Sequence, residues 1–290
     1  MCFPGAVLTN ATQVSRGDVR YTYCVRASID SERDATMAEQ SKEVYVEPSV
    51  EQATGLASKF FKAIVSEAVC RHGCCYLALA GGTTPHGLYL RLASDGCSGD
   101  VPWQNVEVFF GDERDVSQDH VASNYRMAQR TLLDHVPIDL MHIHPMPADE
   151  EDIQVAAAEY EKAIRKAVPS DKMGIPQFDL ILLGMGGDGH TASIFPNTEA
   201  VSETEKLVTA YHVPVLGRNR MTITFPLINA ARNVILFVTG SDKADAVAKL
   251  LDNDPEARAE LPVSRVDPAR GNFKIILDAA AARSANLKFL

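Results

Sequence analysis

Apolar and polar positions along the chain fall into short, almost wholly apolar runs separated by longer stretches with a helical period. Tyr76 to Ala80, Val106 to Phe110, Leu180 to Leu183 and Val234 to Thr239 are nearly all apolar, as strands covered on both faces are. Glu43 to Glu47 alternates as a short strand, and Leu207 to Val213, Met221 to Phe225 and Phe273 to Leu277 extend the set. Met141 to Ile143 reads as one more. Leu56, Phe60, Phe61, Ile64, Val65 and Ala68 recur close to the spacing of a helix face, with Gly73 as the stop. Further helices are predicted through Leu88, Leu90 and Leu92, over Asn124 to Leu133, Asp149 to Val168 and Lys243 to Leu251. The third of these begins with Asp149, Glu150, Glu151 and Asp152 and ends with Lys162, Arg165 and Lys166, the charge order a helix dipole favours.

Strands alternating with helices predict an α/β fold: three layers, α/β/α, around a mostly parallel, Rossmann-like sheet. Residues 43–290 show no repeat, low-complexity tract or linker and read as a single domain. Residues 1–42 have no sustained period, although Val19 to Ala27 reads as a strand. No apolar segment follows a basic start there, so a secretory signal is not indicated. Met37 directly precedes the globular pattern. The expectation is that Met37 is the true start, or that residues 1–36 form a dispensable arm.

Composition narrows the partners. A net charge of −10 argues against a nucleic-acid surface, which needs clustered Lys and Arg, but leaves room for a small phosphorylated ligand. No apolar run is long enough to span a bilayer. Cys2, Cys24, Cys70, Cys74, Cys75 and Cys97 form no CxxC pair. They read as packing cysteines of a reducing cytoplasm, with Cys70, Cys74 and Cys75 as small buried hydrophobes.

Three of the apolar strands run into polar loops bearing glycine, and parallel sheets bind ligands outside the carboxyl ends of their strands. The first loop, Gly81-Gly82-Thr83-Thr84-Pro85, offers backbone N–H groups, two hydroxyls and a helix start, which suit a phosphate. A plain turn with an N-cap explains the same residues. The second, Gly111-Asp112-Glu113-Arg114-Asp115, is either a solvated charge run or a source of a functional carboxylate, Asp112, and an arginine, Arg114, able to grip phosphate in a fork. The third, Gly184-Met185-Gly186-Gly187-Asp188-Gly189-His190, matches Gly-x-Gly-x-x-Gly literally. Pro196 interrupts any long helix, however, and no acidic residue ends a second strand, so a dinucleotide site is not indicated. His190 among glycines beyond a strand is a candidate acid–base group. Arg218, Arg220 and Lys243 are further cations near strand ends. His142 and His144 lie two apart without a third ligand at a telling spacing, which favours a structural role over a metal.

GGTTP, FFGDERDV followed by SNYR, LLGMGGDGHTASIFP, RMTITFPLINAA and the GSDKA segment, in this order, resemble the 6-phosphogluconolactonase family. The resemblance covers roughly residues 43 to 290, and GMGGDGHTASIFP is its most specific part. It implies the glucosamine-6-phosphate deaminase fold and hydrolysis of 6-phospho-D-glucono-1,5-lactone in the oxidative pentose phosphate pathway. His190 would be the general base, Asp188 and Asp112 would orient the site, and Gly81, Gly82, Thr83, Thr84, Arg114, Arg220 and Lys243 would hold the phosphate. The backbone N–H groups of the glycine loops become candidates for the oxyanion. No cofactor or metal is implied, and a cytoplasmic monomer or weak homo-oligomer is expected. The related deaminases are the alternative. They carry an acidic residue in an Asn-Glu-Pro ending where this chain has Ile194-Phe195-Pro196, and Asp-Glu-Tyr where it has Asp112-Glu113-Arg114.

Overall fold

The computed structural model describes residues 21–25 (backbone only), 41–96, 100–252, 255–268 and 270–286. Met37 and the rest of residues 26–40 lie outside them, as do residues 1–20. The strands are β1 (Tyr21–Val25), β2 (Ser41–Glu47), β3 (Cys75–Leu79), β4 (Val106–Phe110), β5 (Asp112–Arg114), β6 (Leu180–Leu183), β7 (Val208–Val213), β8 (Arg218–Ile223), β9 (Asn233–Val238) and β10 (Asn272–Asp278). The helices are α1 (Val50–His72), α2 (Thr83–Gly96), α3 (Asn124–Thr131), α4 (Ile153–Ala167), α5 (Phe225–Ala230), α6 (Ala244–Leu251) and α7 (Pro255–Ala259).

Seven strands form the main sheet in the order β1-β2-β10-β9-β6-β3-β4. All of its pairings are parallel except that of the edge strand β1 with β2. The chain runs from β2 through β3 to the edge at β4, then returns across β3 to β6, β9 and β10. Right-handed crossovers therefore put α1 and α2 on one face and α4 and α6 on the other. The winding reverses between β3 and β6, and a crevice opens at such a switch point.

Local chemistry sets the element ends. The Ser49 side chain caps α1 by accepting from the Gln52 N–H, and Gly73, at φ +84°, closes it with its N–H on the Val69 carbonyl. The Asp152 carboxylate accepts from the N–H groups of Gln154 and Val155. The helix of this region thus starts after its acidic cluster, not at Asp149. Met141 to Ile143 is not a strand: Leu140–His142 is a 3-10 turn and Ile143 makes a single bridge to Val108. The pair His142 and His144 is held there by one carboxylate, Glu107, at 2.6 Å from each ring, a structural use. Of the three cysteines expected in the core, Cys75 is buried, Cys74 half-buried and Cys70 exposed, because Cys70 falls on the solvent side of the last turns of α1.

A second, antiparallel sheet, β5-β8-β7, stands over the carboxyl ends of the first. Gly111 joins the two: its N–H donates to the Leu79 carbonyl, and its carbonyl accepts from Ile223, both at 2.8 Å. The charged run at 112–114 is therefore a strand. Glu113, 2% exposed, turns inward, and its carboxylate accepts from the N–H groups of Arg114, Asn124 and Tyr125 and from the Ser123 hydroxyl. Burial pushes its carboxyl above the ordinary value, and the backbone N–H groups of Tyr125, Asn124 and Arg114 pull it partly back. It ties β5 to the start of α3. Among the described residues no helix is long and apolar enough to cross a membrane.

Candidate active site

β4, β3, β6 and β9 are consecutive in the sheet, so the loops at their carboxyl ends meet around one cleft of about 340 Å³. Its wall includes Gly81, Gly82, Thr83, Thr84, Asp112, Arg114, His190, Arg220 and Lys243. Of the residues that the resemblance assigns to the site, Asp188 alone is absent from this wall; Arg218, the other cation of β8, also lies outside it. Asp188 stands behind His190.

The loop after β6 folds back on itself. The Gly186 N–H donates to the His190 carbonyl at 2.9 Å, and the Thr191 hydroxyl donates to the Gly184 carbonyl at 2.8 Å. Gly189 takes φ +79° at the turn, a conformation glycine adopts without steric cost. A Cβ on Gly186 would lie 2.2 Å from the His190 ring and 2.5 Å from the Asp188 carboxylate, so these two side chains pack directly against bare backbone. Asp188 Oδ1 accepts from the His190 main-chain N–H at 3.1 Å and meets His190 Nδ1 at 2.6 Å. Partial burial raises the Asp188 carboxyl, but the hydrogen bond and charge of the His190 ring and the His190 backbone N–H outweigh it and hold the group below its ordinary value. An ionised carboxylate can only accept. The imidazole proton therefore sits on Nδ1, and Nε2 keeps a lone pair for the cleft. Phe195 stacks on the other side of the ring, centroids 4.2 Å apart. Ala192, in the same loop, has φ +48°, backbone strain of the kind found where a loop is held for function.

Arg114 and Arg220 are paired directly across the β5–β8 ladder. Like charges in that relation repel. The Arg114 guanidinium donates to the Ala122 carbonyl at 2.7 Å and that of Arg220 to the Asn219 carbonyl at 2.7 Å. Among the described residues the nearest carboxylate to Arg220 is Asp115 at 3.8 Å. Burial first, and the facing Arg114 second, depress the Arg220 pKa. Two adjacent, half-buried guanidinium groups, with one carboxylate, Asp115, 3.8 Å from Arg220, are suited to an anion. Lys243 enters from a 3-10 turn after β9 and pairs with Asp242 at 2.8 Å. Thr84 and Thr239 join the first and last of these loops, hydroxyl to hydroxyl, at 2.9 Å. Helix α2 starts at Thr83, two residues earlier than Pro85.

Asp112 accepts from the Ser193 hydroxyl at 2.6 Å and from the Asn124 amide at 3.2 Å. Asn124 reaches it through space that only glycine leaves open: a Cβ on Gly81 would lie 2.0 Å from the Asn124 side chain. Asn124, Ser193 and Asp278 escaped the sequence reading, whereas Phe195 is the residue it sets where the deaminases carry an acid. Asp278, 3% exposed, accepts from the Gly240 N–H at 3.0 Å and so sets the loop that carries Lys243. Its position as a polar residue closing the last apolar strand is the one signal that marks it. Nothing in sequence brings Asn124 or Ser193 to Asp112.

Residues 48–275 match the family model described as glucosamine-6-phosphate isomerases/6-phosphogluconolactonase. A 6-phosphogluconolactonase of Synechocystis sp. is 39% identical over 220 residues, covering 76% of this chain and 88% of that protein. One from Streptomyces coelicolor is 36% identical over 236 residues, covering 79% and 89%. The solved 6-phosphogluconolactonase of Trypanosoma brucei superposes with a TM-score of 0.74 at 28% identity, covering 83% of this chain and 97% of that one. A monomeric glucosamine-6-phosphate deaminase shares the fold, with a TM-score of 0.70 at 20% identity. The chain belongs to the glucosamine-6-phosphate isomerase/6-phosphogluconolactonase family.

Proposed function

We propose that the chain hydrolyses 6-phospho-D-glucono-1,5-lactone to 6-phospho-D-gluconate, a step of the oxidative pentose phosphate pathway. The observation that carries this reading is the His190–Asp188 pair beside Phe195. A ring-opening deaminase of this family needs a carboxylate where Phe195 packs its ring on the histidine.

His190 Nε2 takes a proton from a water as its oxygen adds to the lactone carbonyl carbon. The imidazolium so formed is stabilised by Asp188 at 2.6 Å, which also holds the tautomer. It then returns the proton to the ring oxygen as the carbon–oxygen bond breaks, since an alkoxide leaves poorly unless protonated. The products balance as lactone plus water giving the hydroxy acid. The N–H groups of Gly186 and Gly189 are engaged inside their own loop, so the Gly81–Gly82 turn is the better source of donors for the oxyanion. Arg114, Arg220 and Lys243 hold the phosphate, with Thr83 and Thr84 at the start of α2 beside them. Asp112, fixed by Ser193 and Asn124, accepts from a sugar hydroxyl. The chemistry assigned here needs no cofactor.

Residues 43–290 act as one catalytic domain, preceded by an extension. The enzyme works in the cytoplasm as a monomer or weak homo-oligomer. The deciding experiment supplies 6-phosphogluconolactone and glucosamine 6-phosphate in parallel and follows acid release and ammonia release. Acid from the lactone alone supports the reading. Ammonia from the amino sugar would replace it with the deaminase.

A further inference from the structure

At the amino ends of the strands, opposite the cleft, a second cavity of about 260 Å³ lies between the end of α1 and the starts of β6, β9 and β10. Arg71, Arg232 and Arg270 line it together with Glu67 and Asp179. Three guanidinium groups around one hollow are unexpected in a chain of net charge −10. Both carboxylates already have partners. Glu67 pairs with Arg71 along α1. Asp179 contacts His72 at 3.0 Å and Arg232 at 3.3 Å, and also accepts from the Tyr76 N–H at 3.0 Å. The Arg232 contact with Asp179 is made through Nε, which is sealed from solvent and makes no well-aligned hydrogen bond, and Arg270 has no carboxylate partner among the described residues.

The backbone fixes two of these arginines. Arg232 donates its N–H to the Phe178 carbonyl at 2.8 Å and accepts from the Asn272 N–H at 2.9 Å. A Cβ on Gly271 would lie 2.3 Å from the Ala231 carbonyl, so the chain beside Arg270 is pressed against the chain beside Arg232. The planar forks of guanidinium groups match tetrahedral oxyanions.

We propose that this cavity is a second anion site, separate from the catalytic cleft, that takes a phosphate dianion, either free or as the head of a small phosphomonoester. The proposal does not depend on which reaction the cleft performs.

The test is calorimetric titration of inorganic phosphate into the full chain carrying Arg114→Ala and Arg220→Ala, which removes the anion-binding pair of the cleft. Phosphate is expected to bind this background at one site. Adding Arg270→Ala should weaken that binding about tenfold or more, the loss of a charge-assisted pair. Arg270 is exposed, so its truncation leaves the fold intact. A second arm with glycerol 3-phosphate tells the two ligand sources apart by which binds tighter, and Arg270→Ala should weaken both. Absence of phosphate binding in the double variant, or binding indifferent to Arg270→Ala, would overturn the proposal.

Discussion

Arg220→Met tests whether the facing arginines are an anion trap. The substitution keeps an unbranched side chain of similar reach and removes the charge. Arg220 is 12% exposed, faces Arg114 across the ladder, and has its nearest carboxylate among the described residues, Asp115, at 3.8 Å. Removing Arg220 relieves a like-charge cross-strand pair, an effect of about 0.2–1 kcal/mol, and ends the desolvation of a half-buried guanidinium, against the loss of its attraction to Asp112 and Asp115. In phosphate-free buffer the urea midpoint should stay level or rise. Binding moves the other way. A charge-assisted hydrogen-bonded contact to phosphate contributes about 1.5–3 kcal/mol, so KM for the phosphorylated lactone should rise about 10- to 150-fold. The reacting carbonyl is untouched, so kcat should change little. The control is glucono-1,5-lactone without its phosphate, for which kcat/KM should be unaffected. Equal losses on both lactones, or a clear loss of stability with unchanged KM, would refute the reasoning.

The other predictions concern the histidine pair and its supports. His190→Ala should abolish hydrolysis above the uncatalysed rate while the circular dichroism spectrum stays unchanged; near-normal turnover would remove it as the base. Asp188→Asn should lower kcat by about 10²–10⁴, the range of an acid–base contribution, with KM little changed in steady-state assays. Because the Asp188 carboxyl is held below its ordinary 3.8, its ionised form favours the fold. That small contribution is complete above this value and is lost as pH falls through the folded-state value, so the melting temperatures of wild type and Asp188→Asn should converge in acid. Gly186→Ala puts a methyl 2.2 Å from the His190 ring and should cost most of the activity, read against an unchanged melting curve. Glu113→Gln points amide hydrogens at buried N–H groups and should cost about 1.5–3 kcal/mol in urea denaturation.

The sequence by itself determined the layers and the general place of the site. Short all-apolar runs such as Leu180 to Leu183, bounded by glycine and polar residues, fit strands buried on both faces, and Gly-rich polar loops after three of them put polar groups at one edge of the sheet. Those inferences use local period and backbone freedom, which a linear pattern records. Strand order is a different kind of fact. That β3 and β6 are neighbours, and that winding reverses between them, follows from long-range packing, and this neighbourhood is what makes four separate loops one cleft. The same holds for the pairing of Arg114 with Arg220 and for the meeting of Asp112, Ser193 and Asn124, each of which joins distant segments through ladder register or through space left by a missing Cβ. The charged run at 112–114 shows the limit most plainly: residue type marks it as solvated, yet Glu113 is buried because the N–H groups of Asn124 and Tyr125 at the start of α3, the Ser123 hydroxyl and the Arg114 N–H offer its carboxylate four donors. Chemistry at a residue was legible along the chain; which residues share a hydrogen bond was decided only when the chain folded.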